Sequence, residues 1–170
     1  MTRSFQSRRP LFLAALAAAF LVAGILGGST IDTALRYAWT ENAGWCDFRG
    51  DAVNGVVDGA AYLAGYAWLE NAGWLSLGVG PRNGATYSQT AGDTGVNLDS
   101  TGKLSGYAWG ENIGWVVFNP SGSGQQVTIA PGGHFAGYAW GENVGWISMD
   151  SGHGVVLTYR PASAANWTLY

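Results

Sequence analysis

Glu41, Glu70, Glu111 and Glu142 are the repeated carboxylates of this 170-residue chain. Two carboxylates hydrolyse glycosidic bonds when they flank a cleft about 5–10 Å apart. Here each Glu occupies the same place in its own copy of a repeat, and such symmetry spreads them apart. Each is expected instead to accept loop backbone N–H groups or an indole N–H. The following residues, Asn42, Asn71, Asn112 and Asn143, read as turn formers. His134 and His153 have no metal-ligand spacing, and Asp-rich calcium loops are lacking. The single Cys46 allows neither an intrachain disulfide nor a thiolate cluster. No Gly-x-Ser-x-Gly elbow occurs, and Gly122-Ser123-Gly124 precedes no helix, so it carries no nucleotide signal. The expectation is a non-enzymatic protein without cofactor or metal.

Ring chemistry is a different matter. Tyr37, Trp39 and Trp45 recur as Tyr66, Trp68 and Trp74, as Tyr107, Trp109 and Trp115, and as Tyr138, Trp140 and Trp146. Indole and phenol rings combine large apolar area with a polar edge, which suits sugar rings or another apolar surface. These twelve residues are the candidate binding face. The competing expectation is that most of these tryptophans form the core, interlocking between repeats, because the chain has few Leu or Ile to fill one.

The elements that must position the rings follow from the motif itself. Tyr-Ala-Trp-x-Glu-Asn-x-Gly-Trp begins at residues 37, 66, 107 and 138, at spacings of 29, 41 and 31 residues. Strand-like residues flank a five-residue loop ending in Gly, the pattern of a β-hairpin. With Trp109 opposite Trp115, Ala108 faces Val116, Tyr107 faces Val117 and Gly106 faces Phe118. The same register sets Gly137 against Met149 and Gly65 against Leu77, a large residue covering the gap left by each glycine. In the first copy Arg36 stands opposite Phe48. Alternation then puts Ala and its aliphatic partners on one face and the rings on the other, followed by Asp47, Ser76, Val117 or Ser148. Cys46 falls where the other copies have Leu75, Val116 and Ile147, which predicts a buried thiol.

Further strands are expected at 56–63, 96–104 and 127–135, giving a three-stranded meander of about 30 residues. Gly154–Leu157 reads as one more leading strand, and Asn166–Tyr170 as another. The fold class is all-β, with four repeated antiparallel hairpins or meanders in one domain. A propeller-like ring, a sandwich and a linear stack all satisfy the pattern.

The N-terminus is set apart. Arg3, Arg8 and Arg9 precede an apolar run from Leu11 to Leu26 and then Gly27, Gly28 and Ser29. That order predicts a secretory signal peptide over 1–29 and a single β-repeat domain over 30–170. The alternative is a retained anchor, with membrane contact only through 11–28. Export then places the domain outside the cytoplasm, as a secreted, periplasmic or cell-surface protein. Residues 30–170 carry five basic and eleven acidic side chains, a balance of −6. Such a surface repels phosphate backbones, so nucleic acid is excluded as a partner.

The run Gly106-Tyr-Ala-Trp-Gly-Glu-Asn-Ile-Gly-Trp115 resembles tandem repeats of poorly characterised bacterial secreted and surface proteins. The resemblance spans nearly all of residues 31–150 and implies a bacterial source and export. Two functions follow as expectations. The first is a structural repeat protein of the cell envelope or extracellular matrix that self-associates. The second is a module binding carbohydrate or cell-wall polymer through its Trp/Tyr face, and it predicts solvent-exposed ring pairs at the same place in every repeat.

Overall fold

A computed structural model describes residues 28–121 and 124–158. Residues 1–27 of the expected 1–29 leader, and the terminal strand at 166–170, lie outside the described residues. All regular structure in the described part is β, in twelve strands. The four motif copies form hairpins: β1 (Tyr37–Thr40) with β2 (Gly44–Asp47), β4 (Tyr62–Leu69) with β5 (Gly73–Gly78), β7 (Leu104–Gly110) with β8 (Gly114–Val117), and β11 (Tyr138–Gly141) with β12 (Gly145–Ser148). In each, the two motif tryptophans are directly opposed, as in Trp109↔Trp115.

Neighbouring hairpins join edge to edge through Asp47↔Trp68, Ser76↔Trp109, Trp140↔Val117 and Trp39↔Ser148. The last of these pairings returns to the first hairpin, so the eight strands close into an antiparallel barrel. Of the three expected arrangements the closed ring is the one formed, with its hairpins fused into one sheet. Closure leaves no free strand edge in this layer.

A second tier lies below. The leading strands β3 (Val57–Asp58), β6 (Val96–Leu98) and β9 (Thr128–Ile129) each pair with the chain running up into the next hairpin. For β9 that partner is β10 (Phe135–Ala136). These pairs connect laterally through Tyr62↔Asn97 and Lys103↔Thr128. The expected leading strand at 154–157 takes the fourth place, bridging His134↔Val156 and Ile31↔Leu157. Thr30 completes the ring, donating its N–H to Val56 O and accepting from Thr158 N–H at 2.8 Å.

Passing between tiers demands a kink. Gly65, Gly106 and Gly137 supply it, with φ of 95°, 95° and 87°. A Cβ on Gly106 would collide with the carbonyl oxygen of Gly95, and one on Gly137 with that of Gln126. This corrects the expectation that a large partner covers the missing side chain. Gly65 pairs with Gly78 rather than Leu77, because the register shifts at a bulge between Gly65 and Tyr66. Adjacent backbone fills the space.

The interior is aliphatic and continuous. Ala38, Ala67, Ala108 and Ala139 face Cys46, Leu75, Val116 and Ile147 inside the upper tier. Phe48, Leu77, Phe118 and Met149 fill the level below. A narrow eight-strand barrel has room for a small residue opposite a medium one, and none for an indole.

The loops plug the mouth with complementary volumes. Where the strand ends in Thr40 or Leu69, the loop residue is Ala43 or Ala72. Where it ends in Gly110 or Gly141, the loop residue is Ile113 or Val144, whose side chain occupies the space a Cβ would need. Each volume is filled once, from one side or the other.

Candidate functional site: an outer belt of aromatic rings

Local turn chemistry aims the rings outward. In the third hairpin, Ile113 N–H bonds Gly110 O at 3.1 Å and Gly114 follows at φ 75°. This is a three-residue loop built as a type I turn with a left-handed closing glycine, shorter than the expected five residues because Gly110 and Gly114 pair with each other. It holds the two strands in a register that puts both tryptophans on the outside. Trp39, Trp68, Trp74, Trp109, Trp115 and Trp140 are 40–51% exposed, and Trp45 and Trp146 are half-buried. The expectation that most tryptophans form the core is therefore overturned. The Ala face is core, as alternation implies, and the ring face is the barrel's exterior.

Within a hairpin the rings order one another. Trp39–Trp45 and Trp68–Trp74 centroids lie 4.9 Å apart at 77° and 71°. The tyrosine of each copy adds an edge contact to the second tryptophan, at 6.1 Å for Tyr37–Trp45, 6.3 Å for Tyr66–Trp74, 6.0 Å for Tyr107–Trp115 and 6.3 Å for Tyr138–Trp146. Edge-to-face contact is the favoured aromatic geometry, and it fixes the rings without covering their outer faces.

Grooves form where hairpins meet. One of about 430 Å³ lies between the first and second hairpins, lined by Tyr37, Trp45, Asp47, Trp68, Glu70 and His153. A second of about 360 Å³ lies between the fourth and first, lined by Tyr138, Trp146, Ser148, Trp39, Glu41 and Gln125. The two share one plan: the tyrosine, second tryptophan and following residue of one hairpin meet the first tryptophan and Glu of the next. The Ser76↔Trp109 and Val117↔Trp140 pairings bring the same positions together at the other two junctions.

The repeated polar residues stitch the loops into a rim. Asn71, Asn112 and Asn143 donate from Nδ2 to the carbonyls of Ala43, Ala72 and Ile113 on the preceding loop, at 3.2–3.3 Å. They do more than form turns, since each couples two repeats. Asn42 meets the fourth loop through its own N–H, bonded to Val144 O at 3.3 Å. Glu41 Oε2 accepts the N–H of Trp146 at 3.0 Å, so the backbone-acceptor role expected of all four repeated Glu residues is seen at this one. All four Glu side chains are exposed along this rim.

Two lining groups, His153 and Gln125, and a neighbouring cation, Arg36, fall outside the expected site. His153 packs edge-on against Trp45 with centroids 5.4 Å apart, and Gln125 borders the second groove. Gln125 comes from the connection between the third and fourth hairpins and His153 from the segment after the fourth, and no motif marks either. Arg36 lies over the Tyr37 ring at 4.9 Å, bonds its hydroxyl at 2.6 Å and pairs with Asp47 at 3.4 Å. Its signal is legible in hindsight, because Arg36 stands where the other copies have glycine. Cys46 is buried inside the barrel as expected, and burial pushes its thiol pKa far up. Compared with protein families, curated proteins and solved structures, the chain matches none.

Proposed function

We infer that this chain is an exported binding module whose aromatic belt takes neutral polysaccharide of the cell envelope. The observation that carries the reading is the exposure of ring pairs at the same place around the barrel, with grooves between hairpins that put two tryptophans beside a polar rim. β-Linked sugars present flat C–H faces to such rings and hydroxyls to neighbouring Glu, Asn and Ser. A groove of about 400 Å³ lies within the size range of small-ligand sites, at roughly 300–1,000 Å³. The carboxylate at each junction disfavours polyanionic polymers.

A purely structural role explains the repetition but gives no reason for rings to face solvent. Self-association through the belt remains the competing use of an apolar surface. Affinity electrophoresis of the exported protein separates them, using native gels containing glycol chitin, hydroxyethylcellulose or polygalacturonate. The expected result is retardation by a neutral polymer and none by polygalacturonate, with the free protein sedimenting as a monomer. Unchanged mobility in both neutral polymers, or retardation by polygalacturonate alone, overturns the reading.

A further inference from the structure

The closed ring fixes how the grooves are arranged as well as what lines them. The four hairpins follow one another around the barrel in chain order, and the fourth pairs with the first. Each junction therefore faces its own quarter of the circumference, and alternate junctions face opposite ways. No two grooves lie end to end on a flat face, which is the arrangement a single straight polymer needs in order to fill several sites at once.

We propose that the protein cross-links separate polysaccharide chains, holding one strand at each of two or more junctions. This rests on the glycan reading above. Multivalency on one polymer raises affinity only when the sites can be spanned together. Here the first hairpin stands between the two grooves, which open toward neighbouring quarters of the barrel, so the second groove recruits a second strand. The two observed grooves, beside Trp68 and beside Trp39, are adjacent junctions that share the first hairpin between them. Both have a polar floor, Asp47 in one and Ser148 in the other. The junction floored by Val117 has no polar group at its floor, leaving only the rim Glu142 and the Tyr107 hydroxyl, and is the weakest of the set.

The floor also argues for neutral strands. Asp47 already accepts Arg49 N–H at 2.9 Å and pairs with Arg36, so its charge is committed within the protein. What remains toward solvent are the exposed rim carboxylates, which repel acidic chains and leave neutral ones unhindered.

The test uses the exported protein with long glycol chitin and with chitohexaose. Calorimetry with chitohexaose should give two or more sites per chain. Light scattering with the long polymer should rise to a maximum at intermediate protein ratios, fall at excess protein and collapse when chitohexaose is added. Protein alone should scatter at the buffer level. A stoichiometry of one, or clear solutions at every ratio while the gels still show retardation, overturns cross-linking and leaves the glycan reading standing. Absence of retardation as well as heat overturns both. The double variant Trp68→Phe with Trp39→Phe keeps aromatic rings at both positions but trims the platforms of both observed grooves, and should lower the scattering maximum at least severalfold. An unchanged maximum places the strands elsewhere and contradicts the proposal.

Discussion

Trp109 and Trp115 stand directly opposite each other on β7 and β8, their centroids 4.8 Å apart and their planes inclined by 56°. They are 46% and 51% exposed, yet each is the other's closest aromatic neighbour on its hairpin. The pair thus stabilises the sheet from outside while leaving ring faces free. An aromatic cross-strand pair is worth about 0.5–1.5 kcal/mol beyond area burial. Trp115→Ala should lower stability by about 1–2 kcal/mol without unfolding the barrel, because the core lies on the other face. A shift in urea midpoint with an unchanged slope checks this. Loss of cooperative unfolding would show that the pair is core after all.

The complementary volumes at the barrel mouth predict strong coupling between Gly141 and Val144. Val144→Ala alone leaves a void and should cost about 1–2 kcal/mol. Gly141→Thr alone overlaps Val144 and should cost about 1–3 kcal/mol. Together they rebuild the Thr40/Ala43 arrangement of the first hairpin, and the double variant should recover most of the loss. A double-mutant cycle reads the coupling directly, and additive losses would refute it.

Gly106 and Gly84 separate strain from crowding. Both have positive φ, at 95° and 72°, but a Cβ at Gly84 meets nothing within 4 Å. Gly84→Ala should cost about 1 kcal/mol or less. Gly106→Ala adds a collision with the neighbouring backbone and should cost several times more, or abolish folding. Equal thermal midpoints for the two variants would contradict the role assigned to the inter-tier kink.

Strong acid should destabilise the fold through the carboxylates of the connections. The Asp93 carboxyl lies below the usual range because Ser88 Oγ, then Arg82 and Ser88 N–H, donate to it. Asp99 is lowered by Lys103 N–H and the Thr101 hydroxyl, and Asp51 by Asn54 N–H and side chain. A depressed folded pKa gives stability that is present above the unfolded value, near 3.9, and is lost as pH falls through the folded one. The thermal midpoint should hold steady from pH 7 to about 5 and decline below about 4. A midpoint rising on acidification would contradict these bonds.

The hairpins themselves were legible because their signals are local. Trp109 opposite Trp115, and Ala139 opposite Ile147, follow from a turn of fixed length and a period of two. Closure was not legible: whether Trp39 meets Ser148 depends on how four edges meet, and nothing in the motif marks an edge. The indoles lie outside, against the expectation, for a physical reason. A shortage of Leu and Ile looks like a demand for aromatic core, but eight short strands enclose too little space for it, and Ala38 with Cys46 suffices. Gly65 pairs with Gly78 instead of Leu77 because of a bulge, and a glycine opposite a large residue looks the same in sequence as a glycine at a bulge. His153 and Gln125 reach their grooves only through the tertiary path of linkers.

The central claim, that the rings are a free surface for glycan, is tested most directly by acrylamide quenching of tryptophan fluorescence with and without the neutral polymer, glycol chitin or hydroxyethylcellulose, that retards the protein. The account predicts strong quenching of the free protein at low and high concentration, and marked protection once the polymer is bound. Strong protection of the free protein, or quenching that the polymer leaves unchanged, would contradict it.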